Sequence, residues 1–234
     1  MPEGESEIGL KVVDAFDLDE DVRILLKPGE MVKDAAGRRH RLPRYFYEIP
    51  SYEEAVSVRL SQNFRLNEFI RVDLREAPRL QQYPRFVPCA VRITAFYLQR
   101  LRETLGATLH ISVNGGYRSP AHERNHPASL HMWATSVDIY RIGGSILQSQ
   151  ELIEKYGQAI EDVADEIFVS PYGSEPGFAD DHLHVDLGYV TFVPREISED
   201  RMEVPQERPR FAFEERRARE RRSTDREPRG NGEP

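Results

Sequence analysis

Ser129-Leu130-His131-Met132-Trp133-Ala134-Thr135-Ser136-Val137-Asp138 is the stretch on which the reading of this chain turns. It sets an imidazole, His131, at the end of a loop. A carboxylate, Asp138, follows inside an apolar run at 135–142 that reads as a strand closed by Gly143-Gly144. A second stretch, Asp181-His182-Leu183-His184-Val185-Asp186, reads as another short strand at 182–187. If those strands are neighbours, His131, Asp138 and His184 point into one cleft. Two imidazoles and a carboxylate suit zinc better than calcium or magnesium, which prefer oxygen ligands. Three protein ligands also leave a fourth position for water, the composition of a catalytic rather than a structural zinc site.

Around these stretches the pattern is one of short strands mixed with helices. In residues 1–62, segments 10–13, 22–26 and 45–49 read as strands, with turn chemistry at Lys27-Pro28-Gly29 and Ala35-Ala36-Gly37. The acidic trio Asp17, Asp19 and Asp21 fails as a calcium loop, because Val22 and Pro28 stand where glycine and glutamate are needed. From 88 to 105, Val91, Phe96, Leu98, Leu101 and Leu105 recur at helical spacing, with Pro88 in the first turn and Gly106 as the cap. Leu109, Ile111 and Val113 alternate over 107–113 as a strand. Residues 117–130 form a polar loop, 145–163 a helix and 166–169 a further strand. The expected architecture is α+β, a small antiparallel sheet with flanking helices around a zinc cleft.

Three regions follow. Residues 1–62 are a β-rich extension and 63–194 carry the metal residues. Residues 195–234 are a charged tail with too little aliphatic content to offset its ordering entropy, apart from a helix expected at 213–222.

Bulk properties exclude several functions. Hydrophobic residues make up 39% of the 234, enough for a core. From 195 to 234 eleven arginines balance eleven carboxylates, so the net charge of −8 sits on residues 1–194. An acidic body is not built for nucleic acid, which needs clustered cations. Cys89 is the only cysteine, which rules out an intramolecular disulfide and a cysteine-based zinc site. No segment has the length and apolarity of a membrane span, and the acidic start does not read as a secretory signal, so synthesis in the cytoplasm is expected.

Ser129 to Asp138 is similar to the S-x-H-x-x-G-x-A-x-D pattern of the zinc D-Ala-D-Ala peptidases, a group that includes cell-wall endopeptidases and shares the hedgehog-type fold. Gly116-Tyr117-Arg118-Ser119-Pro120 resembles the group's G-Y-R-S-P element, and His182-Leu183-His184 its H-x-H element. The three occur in the family's order and cover roughly residues 64–190. The resemblance implies a hedgehog/DD-peptidase-like fold, His131, Asp138 and His184 as zinc ligands, and peptidoglycan or a muropeptide as substrate. Ala134 and Ser136 depart from the pattern, standing where the family has Gly and Ala. A left-handed backbone does not suit alanine, so a loop that needs one at 134 must differ here.

Hydrolysis also needs a base and an electrophile. The resemblance offers two candidate bases, Asp181, three positions before His184, and His182, the first histidine of the H-x-H element. Asp181 is preferred if the loop ending at Asp180 turns it inward. Arg118 is the electrophile, unless it simply pairs with Glu123. His122 and His126 are read as loop residues on the cleft rim, Met132 and Trp133 as packing, and Asp186 as an orienting partner for a ligand histidine or a strand cap. The expected function is a zinc peptidase acting on stem peptides or other peptides with D-amino acids. The competing expectation is a non-catalytic zinc-stabilised binding module.

Overall fold

A computed structural model describes residues 8–173 and 180–194. The charged tail, the helix expected at 213–222 and most of the loop 171–180 lie outside the described residues. Among the described residues, ten strands and five α-helices follow in the order β1 (Val12–Asp14), α1 (Glu20–Leu26), β2 (Met31–Lys33), β3 (Arg39–Arg41), β4 (Tyr45–Glu48), α2 (Tyr52–Ser57), α3 (Leu66–Phe69), β5 (Phe86–Pro88), α4 (Val91–Leu105), β6 (Leu109–Ile111), β7 (Ser136–Ile142), β8 (Ser145–Ile146), α5 (Gln150–Glu161), β9 (Phe168–Val169) and β10 (Leu183–Asp186). They make three antiparallel sheets: β1-β4-β5, the hairpin β2-β3, and β6-β7-β10-β9 with β8 also on β7. The fold is α+β, with small antiparallel sheets and few helices.

The segment 22–26, expected as a strand, is helical. Asp19 sits at the N-cap with Glu20 and Asp21 in the first turn, where carboxylates favour the helix dipole. The β-branched Ile24 is 62% exposed, so no alternating buried face is available to make a strand. Lys27, left-handed at φ 46°, ends the helix before Pro28.

α4 starts at Val91 rather than Pro88, because Pro88 closes β5 opposite Phe46. Its inward stripe is Val91, Thr94, Ala95, Leu98 and Leu101, while Phe96 points to solvent. Gly106 caps the helix at φ 60°, as its position predicts. β6 stops at Ile111, where a register shift against β7 breaks the alternation and leaves Val113 exposed. The expected helix 145–163 loses its first turn to β8. Ser149 then caps α5 by accepting from the Leu152 amide.

One hydrophobic core runs from Leu10 to Val185 and includes Phe46, Phe64, Leu98, Val137 and Leu183. β4 pairs with β5, so residues on either side of 62 share a sheet and that core. A smaller cluster of Leu42, Ala128, Met132 and Trp133 takes in Val32 of β2 and Tyr189. It holds the β2-β3 hairpin against the loop that carries His131. Among the described residues, no helix is long and apolar enough to cross a membrane.

Candidate metal centre

β7 and β10 pair antiparallel with His184 directly opposite Asp138. Alternation along β10 sends Leu183 and Val185 into the core and His184 to the other face. Val137 and Ile139 do the same on β7, leaving Asp138 beside His184. His184 Nδ1 lies 2.8 Å from Asp138 Oδ1.

His131 arrives on a single helical turn, Leu130–Trp133, at the end of the polar loop. Ala134 ends that turn at φ 56°, ψ 30°. Alanine thus takes the left-handed conformation expected to be closed to it, and the surrounding packing sustains the cost, on the order of 1–2 kcal/mol. The ring of His131 is fixed from behind. Its Nδ1–H donates to the Gly116 carbonyl at 2.7 Å, so Nε2 carries the lone pair. Gly116 can stand there because it has no side chain, since a Cβ would come within 2.2 Å of the Phe69 carbonyl oxygen.

The side chains of His131, Asp138 and His184 are all buried, and each offers one ligand atom within 4.8 Å of the others. This group could hold a metal ion. His131 Nε2 is buried without a hydrogen-bond partner and lies 3.4 Å from Asp138 Oδ1. Ligand atoms sharing a tetrahedral ion at about 2.0–2.2 Å stand roughly 3.4 Å apart, so the pair needs little movement. An orphaned buried nitrogen is costly unless something fills its lone pair. Burial drives the His131 pKa down to about 4 against the pull of Asp138, which keeps the ring neutral and able to ligate. Burial alone would raise the Asp138 carboxyl, but His131 and His184 together hold it well below the usual carboxylate range. Asp186 Oδ1 accepts from the Gly188 amide at 2.8 Å, and its Oδ2 stands 3.8 Å from His184 Nε2. It therefore closes the strand end and also faces the His184 ring.

Two more predicted residues reach the centre and one stays at its edge. Arg118 is buried, with Nη2 3.7 Å from Asp138 Oδ2, so it turns inward to the metal group. Burial brings its pKa down to about 10, still fully charged at neutral pH. His182 places Nε2 3.6 Å from Asp138 Oδ1 and Nδ1 2.6 Å from Asp181 Oδ1. Asp181 itself is 77% exposed at its side chain and touches the centre only through His182.

Part of the loop expected at the rim instead forms a brace behind it. His122 is buried, with Nε2–H donating to Asn114 Oδ1 at 3.0 Å and Nδ1 accepting from the Arg124 amide. Burial lowers its pKa to about 4. Glu76, not singled out in the sequence, is buried and accepts from the Ser119 amide at 3.0 Å and the Ser119 hydroxyl at 2.5 Å. It thereby fixes the backbone next to Arg118. His126 does line the cleft.

The cleft has a volume of about 480 Å³. Arg118, His131, His184 and Asp186 line it. The tip of the β2-β3 hairpin, with Asp34 and Arg38, lines another part. No local pattern ties that hairpin to a loop so far along the chain, and the sequence reading missed it.

No family model matches this chain, and searches of characterised proteins and of solved structures return no similar protein. The site therefore rests on its own geometry.

Proposed function

We propose that this chain is a zinc-dependent peptidase that hydrolyses bonds in peptidoglycan stem peptides or other peptides containing D-amino acids, on a hedgehog/DD-peptidase-like fold. The observation that carries the reading is the convergence of His131, Asp138 and His184, with His131 Nε2 buried and unpartnered. The resemblance of 116–120, 129–138 and 182–184 to the zinc D-Ala-D-Ala peptidases supports the choice of substrate.

His131 Nε2, His184 Nδ1 and the Asp138 carboxylate would hold the ion. Nitrogen donors outnumber oxygen, which favours zinc over calcium or magnesium. Zinc in such a setting supplies water activation and carbonyl polarisation. The remaining chemistry belongs to the side chains around it. A carboxylate only accepts, so the hydrogen between His182 and Asp181 sits on Nδ1 and leaves Nε2 as the basic nitrogen facing the centre. His182 takes a proton from the attacking water and returns it to the leaving amine. Asp181 fixes the ring and stabilises its charged form. Arg118, buried beside Asp138, offsets negative charge that develops on the substrate carbonyl oxygen. A binding module has no use for a histidine–carboxylate pair and a buried arginine at its metal.

The test is mass spectrometry of soluble products after zinc-loaded protein is incubated with purified peptidoglycan and muropeptides, with and without chelator. New peptides that vanish with chelator are expected, and their masses identify the bond. If both substrates survive protein shown to contain zinc, the non-catalytic zinc module replaces this reading.

A further inference from the structure

The tip of the β2-β3 hairpin lines the candidate metal cleft, and the hairpin is tied to the loop that carries His131. Trp133 Nε1–H donates to the Arg41 carbonyl at 3.1 Å. His40 stacks on Tyr189 with ring centroids 3.4 Å apart, and the Tyr189 hydroxyl donates to the Ala128 carbonyl at 3.0 Å. Gly37 at φ 78° makes the reversal, and Asp34 holds the tip together. The Asp34 carboxylate accepts from the Arg38 amide at 2.8 Å, from Arg38 Nε at 2.7 Å and from His40 Nε2 at 3.0 Å. The His40 bond leads in lowering the Asp34 pKa to about 2, so the carboxylate remains charged while it orients the arginine.

Arg38 is thus placed on the lining of the cleft. Only Nε of its guanidinium is used in the Asp34 bond, and its side chain is 73% exposed. The cleft acids are already engaged, Asp34 by the hairpin and Asp186 by the Gly188 amide. Arg118 faces the Asp138 carboxylate, whereas the terminal nitrogens of Arg38 lie outside its Asp34 bond. An arginine held at Nε presents the paired nitrogens at the end of its fork, the edge that grips a carboxylate in two places.

We propose that Arg38 is a specificity residue that binds a carboxylate on the substrate peptide, with the β2-β3 hairpin as a fixed wall of the binding cleft. This rests on the peptidase reading for its substrate class. The carboxylate has two sources in a stem peptide: the C-terminal group, or the free α-carboxyl of a γ-linked glutamate.

The test uses the full chain and a stem pentapeptide in three forms: unmodified, amidated at the C-terminus, and amidated at the glutamate. Binding is read by isothermal titration in chelator, so that nothing is cleaved. Turnover is read separately in zinc. The wild-type protein should lose about three- to tenfold in affinity for one of the two amidated forms, and Arg38→Gln should bind that form and the parent equally. The amidated form that loses affinity identifies the carboxylate, and the preference should shrink as salt is raised. Arg38→Lys keeps the charge but not the fork and should fall between. Trp133 is the sole tryptophan, so an unchanged emission spectrum shows the hairpin still docked in each variant.

Equal wild-type affinity for all three peptides overturns the proposal. So does an Arg38→Gln variant that loses all three alike with shifted emission, since Arg38 would then be merely structural. Cleavage without carboxylate preference removes Arg38 and leaves the peptidase. Arg38-dependent preference without cleavage does the reverse.

Discussion

Asp138 Oδ2 faces Arg118 Nη2 at 3.7 Å, which leaves Oδ1 to the imidazoles of His131, His182 and His184. One buried carboxylate thus balances the arginine and anchors the candidate metal group. Asp138→Asn keeps the shape but removes the charge, and its amide hydrogens would oppose either Arg118 or the ligand rings. Zinc at 100 times its dissociation constant should stabilise the wild type by about 2.7 kcal/mol. The variant should show no zinc-dependent rise in melting temperature. Equal zinc uptake by both proteins, measured by metal analysis, would remove Asp138 from the ligand set.

His182 and Asp181 separate proton transfer from metal binding. His182→Gln should lower kcat on a cleaved stem peptide by roughly a hundredfold or more while zinc content is unchanged. Asp181→Asn, which loses only the orienting partner of that ring, should cost about tenfold. If Asp181→Asn is the more damaging of the two, Asp181 is itself the base.

Acid should unfold the metal-free protein through its buried histidines. His131 and His122 are each held at about 4, against 6.5 for an ordinary histidine. Between those values the unfolded chain binds protons that the folded chain refuses. Stability is therefore complete above pH 6.5 and falls as the pH drops toward 4. For His131 alone the loss amounts to about 3 kcal/mol. Urea midpoints in chelator should drop steeply from pH 7 to pH 5, and less so in His122→Gln. A flat profile would contradict the burial of these rings.

Gly116→Ala probes the support behind His131. The added Cβ would meet the Phe69 backbone at 2.2 Å, and backbone cannot move aside as a flexible side chain can. We expect a loss of about 3 kcal/mol in urea unfolding, with weaker zinc binding because the carbonyl that orients His131 must shift. Wild-type stability in this variant would mean that the loop repacks freely.

What could be read before the structure was local. The strand holding Asp138 and the cap at Gly106 follow from periodicity and from the conformational freedom of glycine. The segment 22–26 misled because the β-branched Val22 and Ile24, two positions apart, favour a strand, whereas first-turn carboxylates and the exposure of Ile24 decided for a helix. Ala134 misled in the opposite sense. Its side chain argues against a left-handed backbone, and only the packing around it imposes one. Of the candidate centre, the trio His131, Asp138 and His184 was legible as a motif. The hairpin wall and the Glu76 brace were not, because contacts across such sequence separations leave no trace in local pattern.

The register of β10 on β7 gives the centre an all-or-none character. Sliding β10 by one residue would bring Leu183 or Val185 to the place of His184 and turn the imidazole toward the core. Half-formed pairing thus yields no partial site. The centre exists only while β10 is paired to β7 in this register, so metal uptake during refolding becomes a clock for the joining of these two strands.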